Sequence, residues 1–191
     1  MFEIISPHQF RQLPWKNGKG QTTELAINEG GTVSDFEWRL SIAEVVEDGP
    51  FSDFSGYQRT LILIEGNGIE LRHDQASVSN LRNILDVATF DGGSETVATL
   101  AAGAIKDFNV MARNGKYKVV VNTFAEHRVI LPQRTDPGFI YCLAGSAEIT
   151  STEHHLTATL PAHHLLKLDA SAPRDLRVSG EQMIEIGLTP L

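Results

Sequence analysis

The segment Trp38-Arg39-Leu40-Ser41-Ile42-Ala43 alternates large apolar residues with polar or small ones. A period of two belongs to a strand, so Trp38, Leu40 and Ile42 are predicted on one face and Arg39, Ser41 and Ala43 on the other. Arg59-Thr60-Leu61-Ile62-Leu63-Ile64 follows, then Glu65-Gly66-Asn67-Gly68, then Ile69-Glu70-Leu71. Asn-Gly between two apolar runs predicts a hairpin, because both residues tolerate positive φ. Further strands are predicted over Thr96–Leu100, Phe108–Met111, Tyr117–Thr123, Arg128–Leu131 and Phe139–Leu143. His164–Leu168, Asp175–Val178 and Met183–Leu188 complete the set. Helical signals are few. Ser6-Pro7-His8-Gln9 has a capping Ser and a Pro at a first helical position, which predicts one short turn. Asn80–Val87 reads either as a turn of helix or as a buried connection. Many short strands between turn residues make an all-β sandwich or barrel.

A weak internal repeat refines this. The run from Thr60 to Leu71 aligns with the run from Phe139 to Thr150: an apolar strand, a Gly turn, a small residue and a returning strand carrying Glu. Gly66 and Gly145, the turn glycines, lie roughly one small sandwich apart. No Pro-, Gly- or Ser-rich linker separates the halves, so they are expected to pack as one unit.

The chain of 191 residues carries 24 acidic and 16 basic side chains, a formal charge of −8. Without a block of Lys or Arg, a nucleic-acid or anionic-membrane surface is not expected. Apolar runs fall far short of the ~20 residues that a spanning helix needs. The first residues lack a basic region followed by a long apolar stretch, so the chain reads as cytoplasmic. A lone Cys142 can form no internal disulfide, and it sits in an apolar strand where a thiol is inert.

Four segments could carry chemistry. Trp15-Lys16-Asn17-Gly18-Lys19-Gly20 combines glycines that admit close approach with a cation and an amide; it lacks the order of a phosphate loop and fits an ordinary turn as well. Arg39 and Ser41 share a strand face. On spacing alone Arg39 suits the solvent side of a half-exposed strand; inside a barrel it would need an anion, and a carboxylate matches its fork. Arg59 opens the most apolar strand. Asp107, Asn109 and Met111 alternate with Phe108 and Val110, so Asp107 could pair with an arginine.

These segments, Trp15-Lys16-Asn17-Gly18, Trp38–Val45, Asp48-Gly49-Pro50-Phe51-Ser52, Phe54-Ser55-Gly56, Arg59, Leu63-Ile64-Glu65-Gly66 and Asp107–Met111, together resemble the signature of the HutD/Ves family. They run in the family's order from Trp15 to about Arg113. The resemblance implies a bicupin, two cupin-type β-sandwiches in one bacterial chain. The expected division is 1–112 and 113–191, an arrangement that leaves room for strands to be exchanged between the halves. It also implies a regulatory role in histidine utilisation or stress response, a small anion such as urocanate or formate in a pocket, and no established enzymatic activity. Two departures stand out: Lys19 breaks the family's glycine run, and its usual Thr-Thr-Arg-Glu is here Thr22-Thr23-Glu24.

Many cupins hold a divalent metal through His-x-His, a Glu and a further His. No His-x-His occurs in this chain. His154-His155 and His163-His164 are adjacent pairs whose members face opposite ways on a strand. His155 could meet His163 across a hairpin, but the better reading is a pocket with no metal and no cofactor.

The expected site therefore gathers Lys16, Asn17, Trp38, Arg39, Ser41, Phe51, Arg59, Asp107 and Asn109 around a small carboxylate. Arg39 or Arg59 clamps the anion, Lys16 adds charge, and Trp38 and Phe51 wall the site. Two rivals stand beside this binding module. One is a metal-independent enzyme on a histidine-pathway intermediate, with Asp107 or Glu24 as general base. The other is a protein-interaction module. Exposed sheet edges would also admit a homodimer.

Overall fold

A computed structural model describes residues 2–14 and 21–191. Strands dominate, and no α-helix occurs among these residues. β1 (Phe2–Ile5) precedes a single 3-10 turn at Pro7–Gln9, where the Ser-Pro signal predicted it. Next come β2 (Arg11–Pro14), β3 (Gln21–Ile27), β4 (Trp38–Val45) and the two-residue β5 (Gly49–Pro50). β6 (Tyr57–Glu65), β7 (Ile69–His73) and β8 (Ser77–Leu81) follow. After them run β9 (Val87–Asp91), β10 (Thr96–Leu100) and β11 (Ile105–Arg113). The remainder holds β12 (Tyr117–Phe124), β13 (Arg128–Ile130), β14 (Gly138–Cys142) and β15 (Ser146–Ser151). It ends with β16 (Leu156–Pro161), β17 (Leu165–Leu168), β18 (Arg177–Gly180) and β19 (Met183–Pro190).

Two compact units result. One is Phe10–Lys116; the other joins the segment up to Gln9 with Tyr117–Leu191. The first unit has a six-stranded sheet, β2-β3-β4-β11-β6-β9, and a four-stranded sheet, β5-β10-β7-β8. The second has sheets β1-β17-β14-β19-β12 and β13-β18-β15-β16. All the strand pairs are antiparallel. Strands β4 to β11 hold the same places in the first unit as β12 to β19 hold in the second. The faint repeat in the sequence is thus a repeat of topology, and the fold is a bicupin.

The predicted hairpin at Asn67-Gly68 does not form. β6 pairs with β11 and β9, whereas β7 pairs with β10 and β8, so the turn carries the chain from one sheet to the other. Periodicity cannot separate a return within one sheet from a crossing between two, because both bury the same alternating face. The crossing demands glycine at Gly66, where φ is 102° and a Cβ would lie 2.6 Å from Ile105 Cγ2. β14 and β15 make the equivalent crossing through Gly145. Asn80–Val87 is likewise no helix: it is the end of β8, a short connection and the start of β9. Asp86 Oδ2 ties that connection by accepting from the backbone N–H groups of Arg82 and Asn83, each at 2.8 Å.

Each unit has its own core. Leu61 and Leu63 from one sheet meet Ile69, Leu71 and Ala98 from the other, with Ile105 closing the cluster. In the second unit Ile140, Ile149, Leu166, Val178 and Met183 pack with Cys142. Full burial of each large side chain contributes about 1.5–3 kcal/mol. Burial pushes the Cys142 thiol up, which agrees with an inert packing role.

Candidate functional site

β11 is the strand from which the site is built. It pairs with β4 on one side and β6 on the other, so each of its residues has a neighbour on both. Met111 lies between Arg39 and Arg59, Asn109 between Ser41 and Leu61, and Asp107 between Ala43 and Leu63. Directly opposed residues share a face of the sheet. Strand parity therefore collects two arginines, an Asp, an Asn and a Ser on the inner face of the first unit. β3 adds Glu24 opposite Ser41. Toward Leu61 and Leu63 the same face becomes the apolar core.

Arg39, Ser41, Arg59, Asp107 and Asn109 line a cavity of about 630 Å³, within the range of small-molecule sites, and Phe51 forms part of its wall. Arg39 is 4% exposed and Arg59 7%, so neither occupies the solvent face that spacing alone allowed. Arg39 donates from Nε to Glu24 Oε2 at 2.8 Å, and Arg11 Nη2 lies 2.9 Å from the other Glu24 oxygen. Arg59 donates from Nε to Asn109 Oδ1 at 2.8 Å. Asn109 Nδ2 in turn donates to Asp107 Oδ1. The Phe51 ring covers the Arg59 guanidinium at 4.6 Å and Phe90 approaches it at 5.6 Å, both within cation–π range.

What is left unpaired matters more. No Nη nitrogen of Arg39 or Arg59 hydrogen-bonds to a described residue, and Arg59 has no carboxylate within 4.0 Å among them. Asp107 Oδ2 is buried with no partner. Burial pushes the Arg59 guanidinium down to about 10, with Asp107 pulling it up and Arg39 pushing it lower. Burial also lifts Asp107 to about 6, against the pull of Arg59 and of the Asn109 hydrogen bond. The arrangement offers N–H groups to an anion, and one carboxyl oxygen that needs a hydrogen.

Of the expected site residues, Arg39, Ser41, Phe51, Arg59, Asp107 and Asn109 meet at this cavity. Trp38 does not join them. It pairs with Ala112, one position out of phase with Arg39, and so lies on the opposite face of the sheet. Lys16 and Asn17 fall outside the described residues. Sequence reasoning missed Glu24 as the partner of Arg39, and missed Phe90 altogether. The signal for Glu24 was parity: Thr22 and Glu24 alternate on β3 as Ser41 and Ala43 do on β4. The departure at Thr22-Thr23-Glu24 leaves Glu24 with a cation nonetheless, supplied by Arg11 of β2.

The donor set does not fit a divalent metal. It contains no imidazole, and two guanidinium groups flank the one lining carboxylate, which repels a cation. His73 belongs to the same unit, but its Nδ1 lies 2.9 Å from Thr96 Oγ1 and its ring 4.5 Å from Phe90. In the second unit His163 Nδ1 lies 3.4 Å from Tyr141 Oη, and neither His155 nor His163 belongs to a group of three ligands among the described residues. Glu153, His154 and Asp175 do cluster at the surface, where Asp175 accepts from Ser151 Oγ, Thr152 Oγ1 and the Glu153 N–H.

β19, which corresponds to β11, carries the buried Glu185. Its oxygens accept from the Gln133 N–H at 2.8 Å, Gln133 Nε2 at 3.3 Å and Asn122 Nδ2 at 2.9 Å. Neutral donors from its own unit thus satisfy this carboxylate on both oxygens.

A family profile described as HutD matches residues 7–185. The chain belongs to the HutD family. One relative, an uncharacterized 21.2 kDa protein in the hutC 3′ region of Pseudomonas putida, is 35% identical over 122 residues. That match covers 64% of each protein, so the chain spans just under two thirds of that relative's length. Protein Ves of Citrobacter koseri is 32% identical over 143 residues, 73% of either chain. The solved structure of HutD from Pseudomonas fluorescens SBW25, in a formate condition, superposes with a TM-score of 0.85 at 27% identity. It covers the whole of both chains. Among the described residues of this HutD-family chain, no helix is long and apolar enough to cross a membrane.

Proposed function

We propose that the unit Phe10–Lys116 binds a small carboxylate and that the protein acts as a regulator in histidine utilisation. One observation carries this reading: a deeply buried arginine, Arg59, lines a cavity and has no ion-pair partner within 4.0 Å and no acceptor for its Nη groups among the described residues. A buried guanidinium whose Nη groups lack acceptors among the described residues is expensive, and an anionic ligand supplies those acceptors. Arg39, held by Glu24, adds a second fork, and Ser41 a hydroxyl. The formate condition of the Pseudomonas fluorescens HutD structure and the hutC neighbourhood of the Pseudomonas putida relative support the same ligand class and setting. Calorimetric titration with formate, urocanate, formylglutamate and histidine tests it. At least one should bind, and Arg39→Ala and Arg59→Ala should each weaken binding by about tenfold or more. Folded protein that binds none of the four rejects the reading.

A metal-independent acid–base enzyme is the second reading, favoured by the unpartnered Asp107 Oδ2. It requires turnover that drops at least ~100-fold in Asp107→Asn. Bound ligand recovered unchanged after hours of incubation rejects it.

A further inference from the structure

We propose that the carboxylate enters this site together with one proton, carried on Asp107 Oδ2 and donated to the ligand's oxygen. The inference rests on the carboxylate reading above and adds a proton to it. It begins with the orientation of one amide. Arg59 Nε can only donate, so the Asn109 oxygen faces Arg59 and its NH₂ faces Asp107. Asp107 Oδ1 is therefore an acceptor, and any proton on this carboxyl resides on Oδ2. That oxygen is buried and without a partner, on a side chain that lines the cavity.

Charge counting leads to the same place. Among the described residues, with Arg39, Arg59, Glu24 and Asp107 all ionised, the buried cluster is neutral, and a bound monoanion would leave it one charge negative. Protonating Asp107 restores neutrality and replaces a repulsive oxygen pair with an O–H···O⁻ bond, among the shorter and stronger hydrogen bonds in proteins. The proton comes from solvent, no covalent bond to carbon is made or broken, and it returns to solvent when the ligand leaves. Burial has already raised this carboxyl to about 6, so little further change is needed.

The groups around Asp107 are defined on each side. β4 brings Arg39, which shares the Glu24 carboxylate of β3 with Arg11 of β2. β6 brings Arg59, and β11 itself brings Asn109. From the other sheet, His73 of β7 stands behind Phe90 and is held low by burial, although Asp74 pulls it up. The connection after β5 brings Phe51 and Ser52, which carry no charge.

Titrating formate into the intact protein at about pH 7.5, in two buffers of different ionisation enthalpy, measures the proton directly. Uptake approaching one proton per formate is expected, with affinity falling about tenfold per pH unit above pH 6 and levelling off below it. Asp107→Asn places a permanent N–H donor at this position. It should bind formate with an affinity that does not change between about pH 5.5 and 8, and with no proton uptake. Wild-type binding without uptake overturns the proton and leaves the carboxylate site standing. An Asp107→Asn variant that keeps the wild-type pH slope also overturns it, by placing the proton elsewhere. If no formate binds at any pH between about 5 and 8, the carboxylate reading loses its support in formate, and this inference fails with it. Should the variant not fold, the two-buffer measurement on the wild type decides alone.

Discussion

Glu24 grips Arg39 through Nε at 2.8 Å, with only 6% and 4% of the two side chains exposed. Among the described residues the bond leaves both Nη groups of Arg39 without a partner, on a side chain that lines the cavity. Glu24 is thus a positioning residue whose second oxygen reaches the exposed Arg11. Glu24→Ala strands a buried cation and should lower stability by about 3–5 kcal/mol. Glu24→Gln, which keeps an acceptor for Nε, should lose less. Arg11→Ala removes a partner that is 57% exposed and should change stability by no more than about 1 kcal/mol. Urea unfolding of the three variants checks the order, and an Arg11→Ala loss equal to that of Glu24→Ala would refute it.

Asn109 is predicted to be among the least replaceable polar residues of the first unit. Asn109→Leu keeps the volume but leaves Arg59 Nε and Asp107 Oδ1 both without partners. A stability loss of about 2–4 kcal/mol is expected. Formate binding should weaken as well, because Arg59 is no longer held in place. A thermal melt paired with calorimetry measures both.

Phe51 tests the wall separately from the clamp. Removing the ring that covers Arg59 at 4.6 Å should weaken formate binding several-fold, the scale of a cation–π contact of about 1 kcal/mol. Phe51→Leu, equally apolar but without the ring's negative face, should recover little of it. Equal affinity in wild type and Phe51→Leu would show that only apolar cover matters.

Asp107 also makes stability depend on pH. Its folded value of about 6 lies above the ordinary 3.8, so the folded protein holds this proton more tightly than the unfolded chain. The contribution is complete below about pH 4 and is lost as pH rises through 6, a change of about 3 kcal/mol. Carboxylates held low, such as Asp53 and Asp86, act in the opposite sense, so the comparison must be with Asp107→Asn. The stability of wild type relative to that variant should fall across this window in chemical denaturation. A difference that stays flat from about pH 4 to 7 would refute the shift.

Gly66→Ala probes the crossing between sheets. The added methyl meets Ile105 Cγ2 at 2.6 Å and the Ala104 carbonyl at 2.8 Å, at a backbone φ of 102°. Positive φ alone costs a non-Gly residue about 1–3 kcal/mol. Gly145→Ala, where nothing lies within 4 Å, carries the backbone term without the clash and should be the milder of the two.

Strand parity made much of this molecule legible. The alternation in Trp38–Ala43 placed Arg39 and Ser41 together, and that in Asp107–Met111 placed Asp107 with Asn109. Parity could not say which face of β4 turns inward, since both faces of this strand are buried. Both sides of β4 therefore read alike, and Trp38 entered the expected site from the wrong one. Neighbours across a ladder were also beyond reach: Arg59 and Asn109 are fifty residues apart in the chain, and their bond depends on β6 and β11 being adjacent. The Asn-Gly turn carried a true signal for chain reversal, but the choice between one sheet and two is made by the packing of Leu61, Leu63, Ile69 and Leu71.

Among the described residues, the charged groups that line the cavity stand on β4, β11 and β6, side by side within one sheet. Phe51, Ser52 and Phe54, by contrast, lie on the connection between β5 and β6. Grip and enclosure thus belong to separate stretches of chain. Relatives can lengthen, shorten or reshape that one connection and admit acids of other sizes while the anion-holding ladder stays as it is. Within this family, chamber size should diverge faster than the charge it is built to receive.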